Sequence, residues 1–407
     1  MRLLPFLLAL AACSGPADAP DASSSDADAS SSTRDAGPDA ALGDAGSSDG
    51  GSDAGPGVRP IGPRPVTPTP LERGTLFAAP DGAGTDCSEA APCDLWEATD
   101  QAEAGDVVFL RGGVYDIDRN LYFRGRGTDP GPAIFEGYPG ELAILDGSSL
   151  APLTEVYIRV LGDATHLRLF EVRNMPVSAL SVRSSDHVLE GLHVHHNVGS
   201  GIHVHESYDT PSSNRNLIAD CVVHDNSAAG IDAADGGNSD GISMSSGIDN
   251  RIENCLVHSN SDDGVDTWRT LDSYVGYSIT YGNGIGSGNG QGFKAGGAPP
   301  SRGTTVEHCI SYSNRSAGFD QNSGVAVRFV HNTSWDNGVG FYGGSDTELR
   351  FNLAGDDDPR GGSGTDEENS WQRGGAVTFV STDPSSPDFL VPTPDGPFED
   401  LGAHAGR

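Results

Sequence analysis

The sequence predicts an all-β protein, a right-handed parallel β-helix (a β-solenoid) with one N-terminal capping helix. Two observations lead to this prediction: a degenerate repeat of 22 to 34 residues, and short alternating β-runs inside each repeat. Units of this size bury one shared core when neighbouring coils stack on each other. Leucine-rich repeats are the competing architecture, but the regularly spaced leucines that they need in each repeat are missing.

Each repeat contains a strand, a polar turn with an asparagine, and a glycine followed by one apolar residue. For the first central repeat, two segments match this glycine-apolar pattern: "AAGID" and, ten residues later, "NSDGIS". That repeat therefore has two possible alignments. We expect the apolar residues after the glycines to point into the core, at Ile202, Ile231, Val265, Phe293, Phe319 and Phe341.

One amphipathic stretch, "LWEATDQAEAG" near residue 95, predicts the capping helix of the first coil. The β-helix is expected over roughly residues 74–350, within a domain of residues 71–407. The segment from about residue 352 has a loop-like composition and carries no functional prediction.

The N-terminal region is typical of an exported protein. Residues 1–13 pair a charged start with a short apolar core, and Cys13 after Leu-Ala-Ala resembles a bacterial lipobox. An ordinary signal peptide with a chance cysteine is the alternative. Residues 14–70, rich in Ser, Asp, Ala, Gly and Pro, predict a disordered linker. We therefore expect a lipid-anchored protein at the outer membrane or cell surface, or a secreted one.

The other cysteines divide into two groups. Cys87 and Cys93 are close enough in sequence for a small-loop disulfide in an oxidising compartment. Cys221, Cys255 and Cys309 occupy one repeat position and predict inward-stacked thiols, since a zinc site would need close cysteine pairs. The repeated asparagines predict a ladder of amide hydrogen bonds between coils, at Asn197, Asn226, Asn260, Asn283, Asn314 and Asn337.

The charge balance excludes one class of partner. The formal net charge is −34, and the 48 acidic and 19 basic side chains after residue 73 contribute −29 of it. Nucleic-acid binding is excluded because it depends on basic contacts to phosphate. The carboxylates are either a solvated surface or ligands for divalent cations. We expect a monomer that contacts a membrane only through its lipid anchor.

Stacking converts the repeat alignment into a map of neighbouring side chains. Matching positions in adjacent coils lie about 4.8 Å apart, and the residue after each Gly-apolar pair faces outward. The map places four aspartates together and Lys294 one coil away. Carboxylates packed so closely favour Ca²⁺, a cation that takes six to eight oxygen ligands. The predicted ligands are Asp240, Asp262, Asp263 and Asp266.

Lys294 is the only lysine among the 407 residues. A nearby divalent cation would lower the pKa of its amine towards the neutral form that a base requires, which arginine cannot match. Two simpler interpretations exist. The nucleotide composition of the gene could favour arginine codons over lysine codons, or Lys294 could only form ion pairs with Asp266 and Asp320. Neither explains why the one lysine falls beside the carboxylates.

The motifs "NSDGIS", "NSDDGVDTW", "GNGQGFKAGG" and "SAGFDQN", in that order, resemble the family nine polysaccharide lyases over roughly residues 185–345. The resemblance implies a right-handed parallel β-helix, pectate lysis, Ca²⁺ held by the four aspartates, and Lys294 as the base. Gln291 and Ala295 depart from the family's lysine motif, which bears on substrate preference.

The chemistry expected is β-elimination on an acidic polysaccharide, pectate or a related polyuronate. Ca²⁺ would acidify the C5 proton, Lys294 would accept it, and the C4 oxygen would leave. Arg269, Arg315 and Asp320 are further candidates for substrate contacts. Two alternatives remain: a glycoside hydrolase that uses Asp263 and Asp266 as acid and base, and a non-catalytic polysaccharide-binding β-helix.

Overall fold

The computed structural model describes residues 59–205, 212–356, 358–394 and 396–405, which form a right-handed parallel β-helix. Its helices are a 3-10 turn at Leu71–Arg73, α1 at Leu95–Gln101 and α2 at Ser370–Arg373. The first strands are β1 Leu76–Ala78, β2 Val107–Leu110, β3 Gly113–Asp116, β4 Leu121–Arg124, β5 Ala133–Gly137, β6 Ala143–Asp146, β7 Ile158–Leu161, β8 Thr165–Arg168, β9 Glu171–Arg173, β10 Leu180–Val182 and β11 Val188–Glu190. The middle strands are β12 His193–His195, β13 Ile202–Val204, β14 Leu217–Ala219, β15 Val222–His224, β16 Ile242–Met244, β17 Arg251–Glu253, β18 Leu256–His258, β19 Val265–Asp266, β20 Tyr274–Gly276, β21 Ile279–Tyr281 and β22 Phe293–Lys294. The last are β23 Thr305–Glu307, β24 Ile310–Tyr312, β25 Ala317–Asp320, β26 Arg328–Val330, β27 Thr333–Trp335, β28 Val339–Gly343, β29 Glu348–Arg350, β30 Leu353–Ala354, β31 Arg360–Gly362 and β32 Thr365–Glu367.

The strands stack into three parallel sheets, because each coil contributes one strand to each sheet. Sheet 1 has the order β1-β2-β5-β8-β11-β14-β17-β20-β23-β26-β29-β32. Sheet 2 contains β4, β7, β10, β13, β16, β19, β22, β25, β28 and β31, and sheet 3 contains β3, β6, β9, β12, β15, β18, β21, β24, β27 and β30. The predicted fold class is confirmed.

The core column of sheet 2 confirms the repeat alignment at all but one position. Val265, Phe293, Phe319 and Phe341 are in direct register, and the three phenylalanine rings stack with centroids 5.1 and 4.7 Å apart. Ile231 is the exception, because it lies in a loop and is 40% exposed, and the prediction for it is wrong. Ile242, from the second possible frame, fills the place beside Ile202.

The asparagine ladder runs through the buried turns between coils. Asn226 Nδ2 donates to Asn260 Oδ1 at 2.9 Å, and Asn260 Nδ2 donates to Asn283 Oδ1 at 3.0 Å. The chain of bonds continues at both ends through Asn197 and Asn314. These amides satisfy buried polar groups and repeat the coil spacing, so their role is structural.

The three cysteines Cys221, Cys255 and Cys309 are free thiols with no exposed surface. Each Sγ contacts a backbone carbonyl of its own or the preceding coil; that of Cys221 lies 3.2 Å from Ala219 O. Burial raises the pKa of the Cys255 and Cys309 thiols, which keeps them protonated. They pack as small apolar side chains, as predicted.

Helix α1 closes the N-terminal end of the core. Asp94 caps it by accepting a hydrogen bond from the Glu97 backbone N–H at 2.8 Å. Leu95 and Ala98 point into the core. Just before the helix, Cys87 and Cys93 form a disulfide bond in the structure.

The segment 59–70, which we call the strap, corrects the predicted linker boundary. It crosses six consecutive coils along sheet 1, from Glu136 in β5 to Tyr277 after β20. Arg64 forms two side-chain hydrogen bonds with Asp220, at 2.9 and 2.8 Å. The strap is ordered because it pairs with carboxylates far away in the sequence, which its local composition cannot reveal. Residues 14–58 and Cys13 lie outside the described residues.

The C-terminal segment continues the coil and then folds back over sheet 3. Strands β30 to β32 extend the β-helix beyond the predicted end near residue 350, and Trp371 of α2 lies 5.4 Å from the Phe341 ring. Phe389 and Leu390 then pack on Ile310 and Tyr312. The described residues contain no helix long and apolar enough to span a bilayer.

Candidate functional site

The outer column of sheet 2 has the register that the repeat alignment predicts. Ser243 pairs with Asp266, Asp266 with Lys294, and Lys294 with Asp320, followed by Tyr342. The glycine that precedes each core residue brings the backbone of adjacent coils close together and leaves these outward side chains on one face. Lys294 therefore lies directly between two aspartates.

Three of the four predicted metal ligands come together in one group. One carboxylate oxygen from each of Asp240, Asp263 and Asp266 lies within 4.8 Å of the others, and all three residues are buried. Asp262 is not part of this group. Its Oδ1 accepts a hydrogen bond from the Asn289 backbone N–H at 2.6 Å. Asp262 therefore holds the loop that contains Asn289 beside the carboxylate group.

Burial is the main influence on these carboxylates. It raises the pKa of Asp263 to about 7 and that of Asp266 to about 6, although Lys294 acts in the opposite direction on both. Burial, and then repulsion from Asp266 and Asp263, raises the pKa of Asp240 well above its usual value. Burial also raises the pKa of Asp262. The group is short of positive charge.

Lys294 supplies the only positive charge that the described residues place against this group. Its Nζ lies 2.9 Å from Asp263 Oδ2 and 3.3 Å from Asp266 Oδ2. Burial lowers the pKa of the amine, but attraction from Asp266, Asp263 and Asp240 outweighs burial and raises it above the ordinary lysine value. The amine is therefore held protonated in this arrangement.

Two observations favour a cation at the group. Asp266 Oδ1 and Gln291 Oε1 are both buried and accept no hydrogen bond from the described residues. Oxygens with unused lone pairs, beside carboxylates whose charge is not balanced, fit a hard cation such as Ca²⁺. The sequence interpretation placed Gln291 before a glycine, at the repeat position of Asp240 and Asp263, and noted it as a departure from a motif, but did not name it as a ligand.

The predicted substrate contacts have different surroundings. Arg315 is exposed, and its Nη1 donates to the backbone carbonyls of Gly286 and Gly288, so it anchors the loop that reaches Asp262. Arg269 lies next to Trp268, with its guanidinium carbon 5.3 Å from the ring centre. Asp320 accepts a hydrogen bond from Gln291 Nε2 at 3.1 Å. Of the three, Asp320 lies beside Lys294 in the outer column.

The sequence interpretation missed a basic stretch on the same face of sheet 2. Arg159 is in register with Ser181, four strands from Asp266, and Arg183 Nε donates to Ser181 Oγ at 3.0 Å. Neither arginine forms an ion pair with any described carboxylate. Extending the repeat alignment towards the N-terminus would have placed Arg159 in this column.

Comparison with known families gives one match that covers most of the chain. Residues 76–352 match the family described as "Pel9A-like, right handed beta helix region". This span includes sheet 2 from β4 to β28 and therefore all the site residues described above.

Curated proteins and solved structures give the same relationship. The chain is 28% identical to "Pectate lyase PEL9" of Emericella nidulans, with 76% of this chain and 87% of that protein covered. It is 27% identical to "Pectate lyase L" of Paenibacillus polymyxa, with 79% and 78% covered. The fold is similar to the crystal structure of pectate lyase Pel9A, with a TM-score of 0.69, 23% identity, and coverage of 82% of this chain and 96% of that one.

Proposed function

Because the chain belongs to the Pel9A-like right-handed β-helix family and is a polysaccharide lyase, we propose that it cleaves pectate or a related polyuronate by Ca²⁺-dependent β-elimination, with Lys294 as the base. One observation carries this proposal: the only lysine of the chain lies within 3.3 Å of two buried carboxylates in the outer column of sheet 2.

The substrate class follows from charge. Arg159 and Arg183 lie on the face of sheet 2 that carries Lys294, and four strand spacings put Ser181 about 19 Å from Lys294. This row is long enough to contact several sugar units of an extended polymer. Guanidinium groups bind carboxylates with two hydrogen bonds. A polyuronate provides one carboxylate on every sugar, and a neutral glycan provides none.

Asp240, Asp263 and Asp266 would hold the calcium ion, with Gln291 Oε1 as a further oxygen ligand. When bound, Ca²⁺ supplies positive charge that balances these carboxylates and draws electron density from a uronate carboxyl group. The fit rests on the unused oxygen of Asp266 and on the raised pKa of the aspartates, both of which indicate a missing positive charge.

Lys294 performs the proton transfer in this proposal. A neutral Nζ accepts the C5 proton of the uronate, and the electron pair of the C5–H bond forms a C4–C5 double bond. The C4–O bond then breaks, and the leaving oxygen departs with its electron pair and takes a proton from solvent. Because Asp263 and Asp266 hold the amine protonated, the base is released only when the charge on those carboxylates is offset. No water adds to the sugar.

The test is ultraviolet absorbance of the full chain mixed with polygalacturonate. We expect absorbance from the new conjugated double bond to rise with Ca²⁺ present, to stop when excess chelator is added, and to resume when Ca²⁺ is restored. A neutral glycan of the same length serves as the control and should give no signal. Highly methylated pectin, alginate and rhamnogalacturonan in parallel would define the uronate.

Two outcomes would overturn the proposal. New reducing ends without absorbance, on any of these polymers, would indicate hydrolysis through paired carboxylates such as Asp263 and Asp266. Binding of polygalacturonate with no bond cleavage in the presence of Ca²⁺ would indicate a carbohydrate-binding β-helix.

A further inference from the structure

We propose that the outer face of sheet 3 holds a second metal site, which takes Zn²⁺ and is ligated by Glu171, His193 and His195. This face lies on a different sheet from Lys294 and the aspartate group. The proposal does not depend on the lyase activity.

The strand register brings the three side chains together. His193 and His195 are two residues apart in β12, so both project from the same face of the sheet. In the neighbouring strand β9, Glu171 is in direct register with His193. The sequence "HVHH" therefore places two imidazoles beside a carboxylate from the preceding coil.

The distances between ligand atoms fit a tetrahedral ion. His195 Nε2 lies 3.2 Å from Glu171 Oε1, and His193 Nδ1 lies 3.8 Å from Glu171 Oε2. Two ligands bound to tetrahedral zinc at 2.0–2.1 Å are about 3.3 Å apart. One ligand atom from each of the three residues lies within 4.8 Å of the others, so small rotations of the rings would complete the set.

A second group of polar side chains orients the two histidines. His193 Nε2 lies 2.7 Å from His224 Nε2, and His195 Nδ1 lies 2.7 Å from His196 Nδ1. Each candidate ligand therefore presents one ring nitrogen to Glu171 and is held through the other nitrogen. Outer hydrogen bonds of this kind fix the ring orientation of zinc-bound histidines.

The proposed site is accessible from solvent. The His193 side chain is 44% exposed, whereas that of Glu171 is only 8% exposed, which gives a fixed carboxylate below an open imidazole. Arg173 Nη1 binds Glu171 Oε1 at 2.9 Å, and Oε2 has no such partner among the described contacts.

A purely structural ladder explains part of this cluster. His195, His224 and His258 stack along the coils with ring centroids 5.0 and 4.7 Å apart. The ladder accounts for those three rings. It does not account for His193 and Glu171, which stand in the adjacent column and face each other. His258 is therefore a matched control, since it belongs to the ladder but not to the proposed site.

The experiment is isothermal titration of the full chain, purified without a polyhistidine tag, with Zn²⁺ in the presence of excess Ca²⁺. We expect one zinc ion per chain. His193→Gln, His195→Gln and Glu171→Gln should each weaken zinc binding by about tenfold or more. His258→Gln and Asp240→Asn should leave it unchanged. Co²⁺ in place of zinc should give the visible absorption of a four-coordinate site in the wild type and lose it in His193→Gln.

Three results would overturn the proposal. One is the absence of saturable zinc binding by the folded wild type. Another is an equal loss of binding in His258→Gln and His193→Gln, which would assign the effect to the ladder. The third is loss of the zinc signal in Asp240→Asn, which would place the ion at the aspartate group.

Discussion

Lys294 and its carboxylate partners determine what the outer face of sheet 2 can do. The Lys294 side chain is 11% exposed and the Asp263 carboxylate is fully buried, so the pair is largely shielded from solvent while the amine keeps some exposed surface. A protonated amine between buried carboxylates is a stable ion pair. In the proposed mechanism it becomes a base when a cation balances the charge of the carboxylates.

Substitution of Lys294 by alanine should reduce turnover of polygalacturonate by roughly 10²- to 10⁴-fold, the usual contribution of a general base. Lys294→Arg should be nearly as inactive, because a guanidinium keeps its proton. Absorbance of the unsaturated product measures both variants, and thermal unfolding verifies that they fold. Turnover of Lys294→Ala within tenfold of the wild type would exclude lysine as the base.

Removal of calcium should lower thermal stability, because it leaves Asp240, Asp263 and Asp266 without a balancing cation. Asp240→Asn should have two opposite effects: the metal-free chain should become more stable, and the stabilisation by Ca²⁺ should fall sharply. Unfolding temperatures with Ca²⁺ and with chelator test both effects. Asp320→Asn is the control, because Asp320 lies in the outer column of sheet 2 with Asp266 and Lys294 but outside the carboxylate group. This variant should keep the full response to Ca²⁺.

From the burial of His187 we predict a contribution to the free energy of unfolding that depends on pH. Burial lowers its pKa to about 4, and its ring accepts a hydrogen bond from the Thr165 backbone N–H at 3.0 Å. The unfolded chain takes up a proton near pH 6.5, so the stability that His187 provides is present above that pH and is lost as the pH falls towards 4. His187→Asn should therefore destabilise the protein most at neutral pH.

Unfolding temperatures of the wild type and His187→Asn at about pH 7 and about pH 5 provide the measurement. The difference between the two should shrink at the lower pH. A substitution at exposed His196 gives the baseline. A difference that is constant or grows on acidification would contradict the burial argument.

At the scale of elements, the strap differs most from the sequence prediction, because residues 59–70 were expected to be disordered and are ordered in the structure. Ten residues separate Thr69, bound to Glu136, from Arg59, bound to Glu253, and between them the strap crosses the edges of successive coils. In a solenoid each coil contacts only its neighbours. A segment that contacts six coils therefore adds long-range connections that the stacked strands lack.

Arg64→Ala should destabilise the protein by about 1–3 kcal/mol, because it removes the partner of a carboxylate that is only 3% exposed. Arg215→Ala is the matched control. Its pair with Asp186 is also formed by two side-chain hydrogen bonds but is exposed, and it should cost less than about 1 kcal/mol. Denaturant unfolding compares the two. Equal costs would show that the strap contributes no more than an ordinary surface contact.

At the scale of the whole molecule, the described chain presents three faces with separate roles. Sheet 2 carries the proposed lyase site, sheet 1 is crossed by the strap, and sheet 3 is covered at one end by the C-terminal segment. The uncovered part of sheet 3 carries the histidines of the proposed zinc site. The coil gives each face its own row of side chains, so separate sites can coexist without sharing residues.

A chain that ends at Gly374 should expose Ile310 and Tyr312, because Phe389 and Leu390 cover them. We expect a lower unfolding temperature and stronger binding of an apolar fluorescent dye, with lyase activity retained at low temperature since sheet 2 is intact. An unchanged unfolding temperature together with unchanged dye binding would contradict the covering role.

The sequence by itself determined the fold, the repeat register of the central coils, and the approach of Lys294 to the aspartates. It could do so because a parallel solenoid repeats at a constant rise, so that residues at matching repeat positions become neighbours in space. Asp266, Lys294 and Asp320 fall in line for that reason.

Only the tertiary structure decided the rest. It selected Ile242 over Ile231, since a loop between coils can take up extra residues without disturbing the stack. It showed that Asp262 Oδ1 accepts a hydrogen bond from the Asn289 backbone N–H, and it ordered the strap against partners as far along the chain as Tyr277. These outcomes depend on side-chain orientation and on contacts between distant segments, which local spacing does not encode.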